Sequence, residues 1–150
     1  MKKLILFISV LTLAQIGYSQ SLSARTYVER TSVGSKIGTA IGIENELGFE
    51  YGGFYQEATL IESMMNKRET TLPYFYEKEF FGIYGAAPIV QRASYDLKLQ
   101  VRIGVSNRKN FLITPSLLAN YHVLKMVSVG GGIGARSFQP TFQGSITIKL

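Results

Sequence analysis

The chain has 150 residues, 16 Lys or Arg against 10 Asp or Glu for a formal charge of +6, one histidine and no cysteine. Without cysteine there is no disulfide scaffold and no lipid-modified cysteine, and a single histidine leaves no cluster able to ligate a metal. The basic surplus is spread out, with Arg108-Lys109 the nearest thing to a cluster, so the basic face of a nucleic-acid binder is missing.

The chain opens with Lys2 and Lys3, an apolar run from Leu4 to Ala14, and small residues at Gly17 and Ser19. A charged start, a short apolar stretch and a small-residue motif, in that order, read as a cleaved export signal over residues 1–20. The apolar run is too short for a membrane-spanning helix, which needs about 20 residues. Cleavage after Ser19 or Gln20 leaves one domain over residues 21–150, with 14 basic and 10 acidic residues.

The mature part lacks a helical period and alternates apolar with polar residues, the pattern of strands with two different faces. Eight strands are expected, at about 23–31, 35–44, 46–58, 74–87, 89–105, 110–123, 126–137 and 141–150. The first and fourth have the weakest alternation, and the fourth gives no register. In the second, Ile37, Ile41 and Ile43 oppose Lys36, Gly38, Ala40 and Gly42; in the third, Leu47, Phe49, Tyr51 and Tyr55 oppose Gly48, Glu50, Gly52 and Gln56. The fifth contains the cleanest run, with Tyr95, Leu97, Leu99, Val101, Ile103 and Val105 on one face and Asp96, Lys98, Gln100, Arg102 and Gly104 on the other. Its uninterrupted length from Tyr95 to Val105 matches the roughly 9–11 residues of a tilted membrane strand. In the sixth, Phe111, Ile113, Leu117, Ala119, Tyr121 and Val123 oppose Thr114, Ser116, Asn120 and His122. The seventh sets Val127, Val129, Ile133 and Ala135 against Ser128, Gly130, Gly132, Gly134 and Arg136; the eighth sets Phe142, Ile146, Ile148 and Leu150 against Thr141, Gln143, Ser145, Thr147 and Lys149. Turns are expected at Gly34-Ser35, Glu44-Asn45, Ala87-Pro88, Asn107 to Asn110 and Gln139-Pro140. The one long connection, roughly Thr59 to Pro73, falls on the side away from the termini.

These features predict an all-β fold, an antiparallel up-and-down barrel. Glycines share the polar face with the charged residues, while bulky residues share the other. A narrow eight-stranded interior takes small side chains, so the bulky face is expected outside, where only lipid can cover it. Leu97, Leu99, Val101 and Ile103 are then lipid-facing, and Phe49, Tyr51, Tyr55, Tyr95, Phe111, Tyr121 and Phe142 supply interfacial aromatics. The alternative is a soluble, lipocalin-like periplasmic barrel with its apolar face inward around a ligand.

In its signal segment, eight alternating strands and last strand with Phe142, Ile146 and Ile148 at alternate positions, the chain resembles the small outer-membrane β-barrel proteins of Gram-negative bacteria. The resemblance implies an outer-membrane location, contact with outer-membrane lipid and lipopolysaccharide, and delivery by the outer-membrane insertion machinery. In that family the last strand typically ends in an aromatic residue; here it ends in Leu150.

On this reading Glu50, Asp96, Lys98, Arg102, Arg136 and Lys149 point into the lumen. There an unpaired charge costs several kcal/mol, so they are expected to form a paired network that plugs the barrel rather than a pore. The function expected is non-enzymatic: a structural, binding or adhesion role, with no cofactor, no metal and no nucleic-acid partner. A second alternative is a lipid-modifying barrel hydrolase, which resemblance to the lipid A deacylase barrels would base on His122. Ser128 on the next strand is the serine able to lie opposite it, with Glu50 or Asp96 as the acid.

Overall fold

The computed structural model describes residues 20–31, 34–58, 79–106, 110–136 and 138–150. The expected signal segment and the expected long connection at Thr59 to Pro73 lie outside them. The eight strands are β1 (Ser21–Thr31), β2 (Gly34–Glu44), β3 (Glu50–Ala58), β4 (Glu79–Gln91), β5 (Tyr95–Ser106), β6 (Phe111–His122), β7 (Val127–Arg136) and β8 (Gln139–Lys149). Each pairs antiparallel with its neighbours in sequence, and β8 pairs back onto β1, closing the barrel. Closure leaves no edge strand to template aggregation.

Three short connections lie at the end that carries both chain ends: Asn45–Phe49, Arg92–Ser94 and Val123–Met126. Asn45 shapes the first by accepting the Phe49 N–H on its side chain at 3.0 Å, and Gly48 there has φ +81°, which a glycine tolerates freely. The long connection, between Ala58 and Glu79, belongs to the opposite end.

Three expected turns are displaced. Gly34-Ser35 is not a turn but opens β2, paired with Thr31 and Arg30 of β1. Ala87-Pro88 is not a turn but lies inside β4, at a register shift between Pro88 and Val90 against β5. Proline has no N–H for the ladder, and a bulge is where a strand tolerates it. The chain instead reverses at Arg92–Ser94, so β5 begins at Tyr95 rather than 89. Gln139-Pro140 likewise opens β8, and the reversal before it includes Phe138 at φ +64°. The third strand starts at Glu50 rather than 46, because the Asn45 turn takes up the residues between.

The interior is polar. Buried side chains include Ser23, Arg25 and Glu29 of β1, Lys36 and Glu44 of β2, Glu50 and Gln56 of β3, Lys98, Gln100 and Arg102 of β5, and Thr141, Gln143, Ser145 and Thr147 of β8. The apolar residues are mostly outside, on every strand: Val28, Ile41, Tyr51, Ile83, Leu99, Ile113, Val129 and Ile146 are all exposed. The bulky-out rule has exceptions. Tyr27, Phe54, Phe80, Tyr84 and Leu118 are buried in the lumen, and Phe54 and Phe80 meet edge to face with centroids 4.8 Å apart. Lumen glycines make room for them. A Cβ on Gly38 would collide with the Tyr27 ring, on Gly42 with the Tyr84 hydroxyl, and on Gly132 with Leu118. Gly42 faces Gly52 and Gly82 faces Gly104 in the ladder, so bare backbone forms the floor beneath these side chains.

Candidate functional site: the charged lumen

Inward-facing alternate residues of all eight strands converge on the barrel axis and form two charged layers. The layer nearer the chain ends is organised by Glu44 and Glu50. Glu50 accepts from Arg25 Nη2 at 2.8 Å, from Ser23 Oγ at 2.9 Å and from Tyr84 Oη at 2.7 Å, with Lys98 Nζ at 3.4 Å. Lys98 Nζ reaches Glu44 more closely, at 2.7 Å, and Lys149 Nζ takes its other oxygen at 2.8 Å. Six strands, β1 to β5 and β8, are tied together through these two carboxylates.

The second layer, toward the loop end, is centred on Glu29, whose side chain is fully buried. It accepts from Arg102 Nη2 at 2.5 Å, Arg136 Nη2 at 2.8 Å and Gln56 Nε2 at 2.5 Å. Two guanidiniums therefore share one carboxylate. The remaining positive charge is met by aromatic faces: Arg102 lies 5.2 Å from the Tyr27 ring centroid and 5.9 Å from that of Phe54, and Arg136 lies 4.6 Å from that of Phe80. Such contacts contribute about 0.5–2 kcal/mol each, which gives the inward aromatics an electrostatic role.

All six lumen residues expected from the sequence point inward. Glu50, Lys98 and Lys149 fall in the first layer, Arg102 and Arg136 in the second, and Asp96 in a smaller group at the terminal-end mouth. There Asp96 accepts from Asn120 Nδ2 at 2.6 Å and lies 3.3 Å from His122 Nε2, while His122 Nδ1 is 2.9 Å from Ser128 Oγ. The Ser128–His122 pairing considered from the sequence is thus present, with Asp96 rather than Glu50 as its acid. The side chains face the lumen and not the lipid side.

Sequence reasoning missed Arg25, Glu29 and Glu44. The first two lie on β1, whose outward face carries Thr26 and Arg30 and so gives a weak amphipathic signal. Glu44 ends β2 and was assigned to a turn. Strict alternation of Ser23, Arg25, Tyr27 and Glu29 was the available signal.

Outside, Leu97, Leu99, Val101 and Ile103 occupy the outer face of β5 as expected. Tyr55, Phe81, Val105 and Phe111 are successive ladder neighbours across β3 to β6 near the loop end, and Tyr95 faces Tyr121 near the terminal end. A lipocalin-like barrel requires the reverse polarity, with the apolar face lining an internal pocket; here that face is outside.

Two solved structures share this fold. A solved structure described as de novo design of transmembrane β-barrels matches with a TM-score of 0.63, 11% identity, and coverage of 87% of this chain and 95% of that one. The solution structure of the designed barrel TMB2.3 matches with a TM-score of 0.66, 8% identity, and coverage of 89% and 97%. The fold is that of a transmembrane-type β-barrel. The crystal structure of Neisserial surface protein A also matches, at a TM-score of 0.40 and 11% identity, covering 87% of this chain and 94% of that one. No family model and no curated protein matches the sequence. At these identities the likeness concerns the path of the chain; the lumen charges of this transmembrane-type barrel come from its own sequence.

Proposed function

We propose that the chain is a small outer-membrane β-barrel with a structural, binding or adhesive role, whose lumen is plugged by its own charged side chains. The observation that carries this reading is the inversion of polarity: exposed Ile, Leu, Val, Phe and Tyr on all eight strands around an interior of paired charges. In water a continuous apolar outer surface of that kind would drive aggregation, whereas a bilayer covers it and leaves every ladder hydrogen bond satisfied. The run from Tyr95 to Val105, at about 3.3 Å per residue and tilted about 40°, matches an apolar band about 25 Å tall. The designed structure described as a transmembrane β-barrel has the same fold and supports the same placement.

On this reading lipid and lipopolysaccharide contact the outer face, residues 1–20 direct export and are then cleaved, and the insertion machinery engages β8 through Phe142, Ile146 and Ile148. The plug follows from the size of eight strands, which leave room for side chains and little else. Single-cysteine labelling along β5 from bilayer vesicles tests the placement. Positions 97, 99, 101 and 103 should take a lipid-soluble reagent and reject a water-soluble one, together with heat-modifiable gel migration of the membrane fraction. Release of the protein by carbonate washing would overturn it. Planar-bilayer recording tests the plug: stepwise ion conductance of the unmodified barrel would refute it.

A further inference from the structure

The terminal-end mouth holds side chains that the plug does not need, and we propose that Ser128, His122 and Asp96 form a nucleophilic site there that cleaves a small carboxylic ester. The inference goes beyond the passive role above and stands on the geometry of the mouth. His122 and Ser128 are direct ladder partners on β6 and β7, and both turn inward. The Ser128 hydroxyl donates to His122 Nδ1 at 2.9 Å when the ring carries its proton on Nε2. His122 Nε2 lies 3.3 Å from Asp96 Oδ2, within ion-pair distance, and Asp96 is itself held by Asn120 through its other oxygen at 2.6 Å. A hydroxyl, a base that accepts its proton and a carboxylate that orients the base are the three parts an acyl-transfer nucleophile requires. The ring nitrogens have exchanged places relative to the commonest triad; both are imidazole nitrogens and either one serves as base.

A second, independent feature lies two strands further along the same row. Ser128 pairs with Thr147 on β8, and Thr147 pairs with Arg25 on β1. The Arg25 guanidinium is fixed by Nε on Thr147 Oγ1 at 3.2 Å and by Nη2 on Glu50 at 2.8 Å, and its buried Nη1 has no hydrogen-bond partner among the described residues. A buried guanidinium N–H left over two strands from Ser128 in the same inward row is the group we assign to receive the developing oxyanion. The backbone N–H groups of the strands are committed to the ladders, so a side chain has to fill this role.

The reaction is balanced without any further reagent. Ser128 Oγ attacks the ester carbonyl carbon as its proton passes to His122 Nδ1, and the oxyanion faces Arg25. Collapse breaks the bond to the alkoxide, which takes the proton from His122 and leaves as the alcohol. Water then attacks the acyl-serine, gives its proton to His122 and releases the carboxylic acid, with the proton returning to Ser128. The His122 side chain is 22% exposed and Ser128 only 3%, so access is from the mouth and the acyl group must be small.

The test is labelling of the folded, full barrel in detergent with methanesulfonyl fluoride, a serine reagent as small as the acyl group the site admits, read by intact mass and peptide mapping, with a p-nitrophenyl acetate burst measured in parallel. One adduct on Ser128 is expected, absent in Ser128→Ala. Labelling should slow about 10²-fold or more in His122→Gln, the usual contribution of a general base. Asp96→Asn should slow labelling less, and heat-modifiable migration should be retained in every variant scored. No adduct on the folded parent, an adduct that persists in Ser128→Ala, or an unchanged rate in His122→Gln would each overturn the proposal. None of these outcomes bears on the membrane placement, which is read by labelling along β5.

Discussion

Replacing Glu29 by Gln removes one negative charge from a fully buried position while keeping the size and shape of the side chain. Arg102 and Arg136 then share no carboxylate, although each still has an aromatic face beside it. Removing one partner of a buried pair costs about 3–5 kcal/mol, because the other charge stays desolvated. The two pairs share one carboxylate, so their costs do not simply double. The cation–π contacts are present in parent and variant alike and leave the difference unchanged. The Gln amide oxygen still accepts from one guanidinium, so the expected net loss is at the low end, about 3 kcal/mol. Urea unfolding from lipid vesicles, followed by the band that migrates as compact without boiling, measures it. With a slope of about 1–3 kcal/mol per molar urea, the midpoint should fall by about 1–3 M. Adding Arg102→Met to Glu29→Gln removes one stranded charge and should recover at least about 1 kcal/mol of the loss, since apolar replacement of a buried pair is often neutral. A Glu29→Gln midpoint equal to the parent's would refute the reasoning, as would a double variant weaker than the single one.

Lys149→Ala should cost much less, about 1 kcal/mol or under, because that pair lies at the mouth with its lysine side chain 22% exposed; the same urea titration reads it. Gly52→Val places side-chain atoms against the Ile41 carbonyl and the Gly42 backbone, which cannot step aside, and should destabilise by about 1–3 kcal/mol or lower the folded yield. Gly144→Ala, with nothing within 4 Å of the added carbon, should be neutral or stabilise by up to about 1 kcal/mol in the same assay. Leu99→Arg puts a charge near the middle of the outer face of β5 and should cost about 2–4 kcal/mol in bilayer vesicles; equal stability there would count against lipid contact.

The sequence by itself determined the number of strands, their approximate limits and the inward or outward direction of most side chains. The reason is local: a strand's side chains alternate with period two, so Asp96, Lys98 and Arg102 had to share a face once Leu97, Leu99 and Val101 shared the other. Where both faces carry the same kind of residue, that logic fails. β4 offers Phe80 and Tyr84 inward but Phe81 and Ile83 outward, so its register was set only by pairing with β3 and β5. The turns at Ala87-Pro88 and Gln139-Pro140 were misplaced for a related reason: proline marks a missing N–H, and only the neighbouring strand decides whether that is a turn, a bulge or a strand end.

Tertiary structure alone decided who meets whom across the lumen. Glu29 and Arg136 are separated by 107 residues in sequence and Arg25 and Thr147 by 122, yet barrel closure places each pair within hydrogen-bond distance. Alternation reveals that a charge points inward; the order and stagger of the strands around the barrel determine which charge it finds there, and nothing local to either residue carries that information.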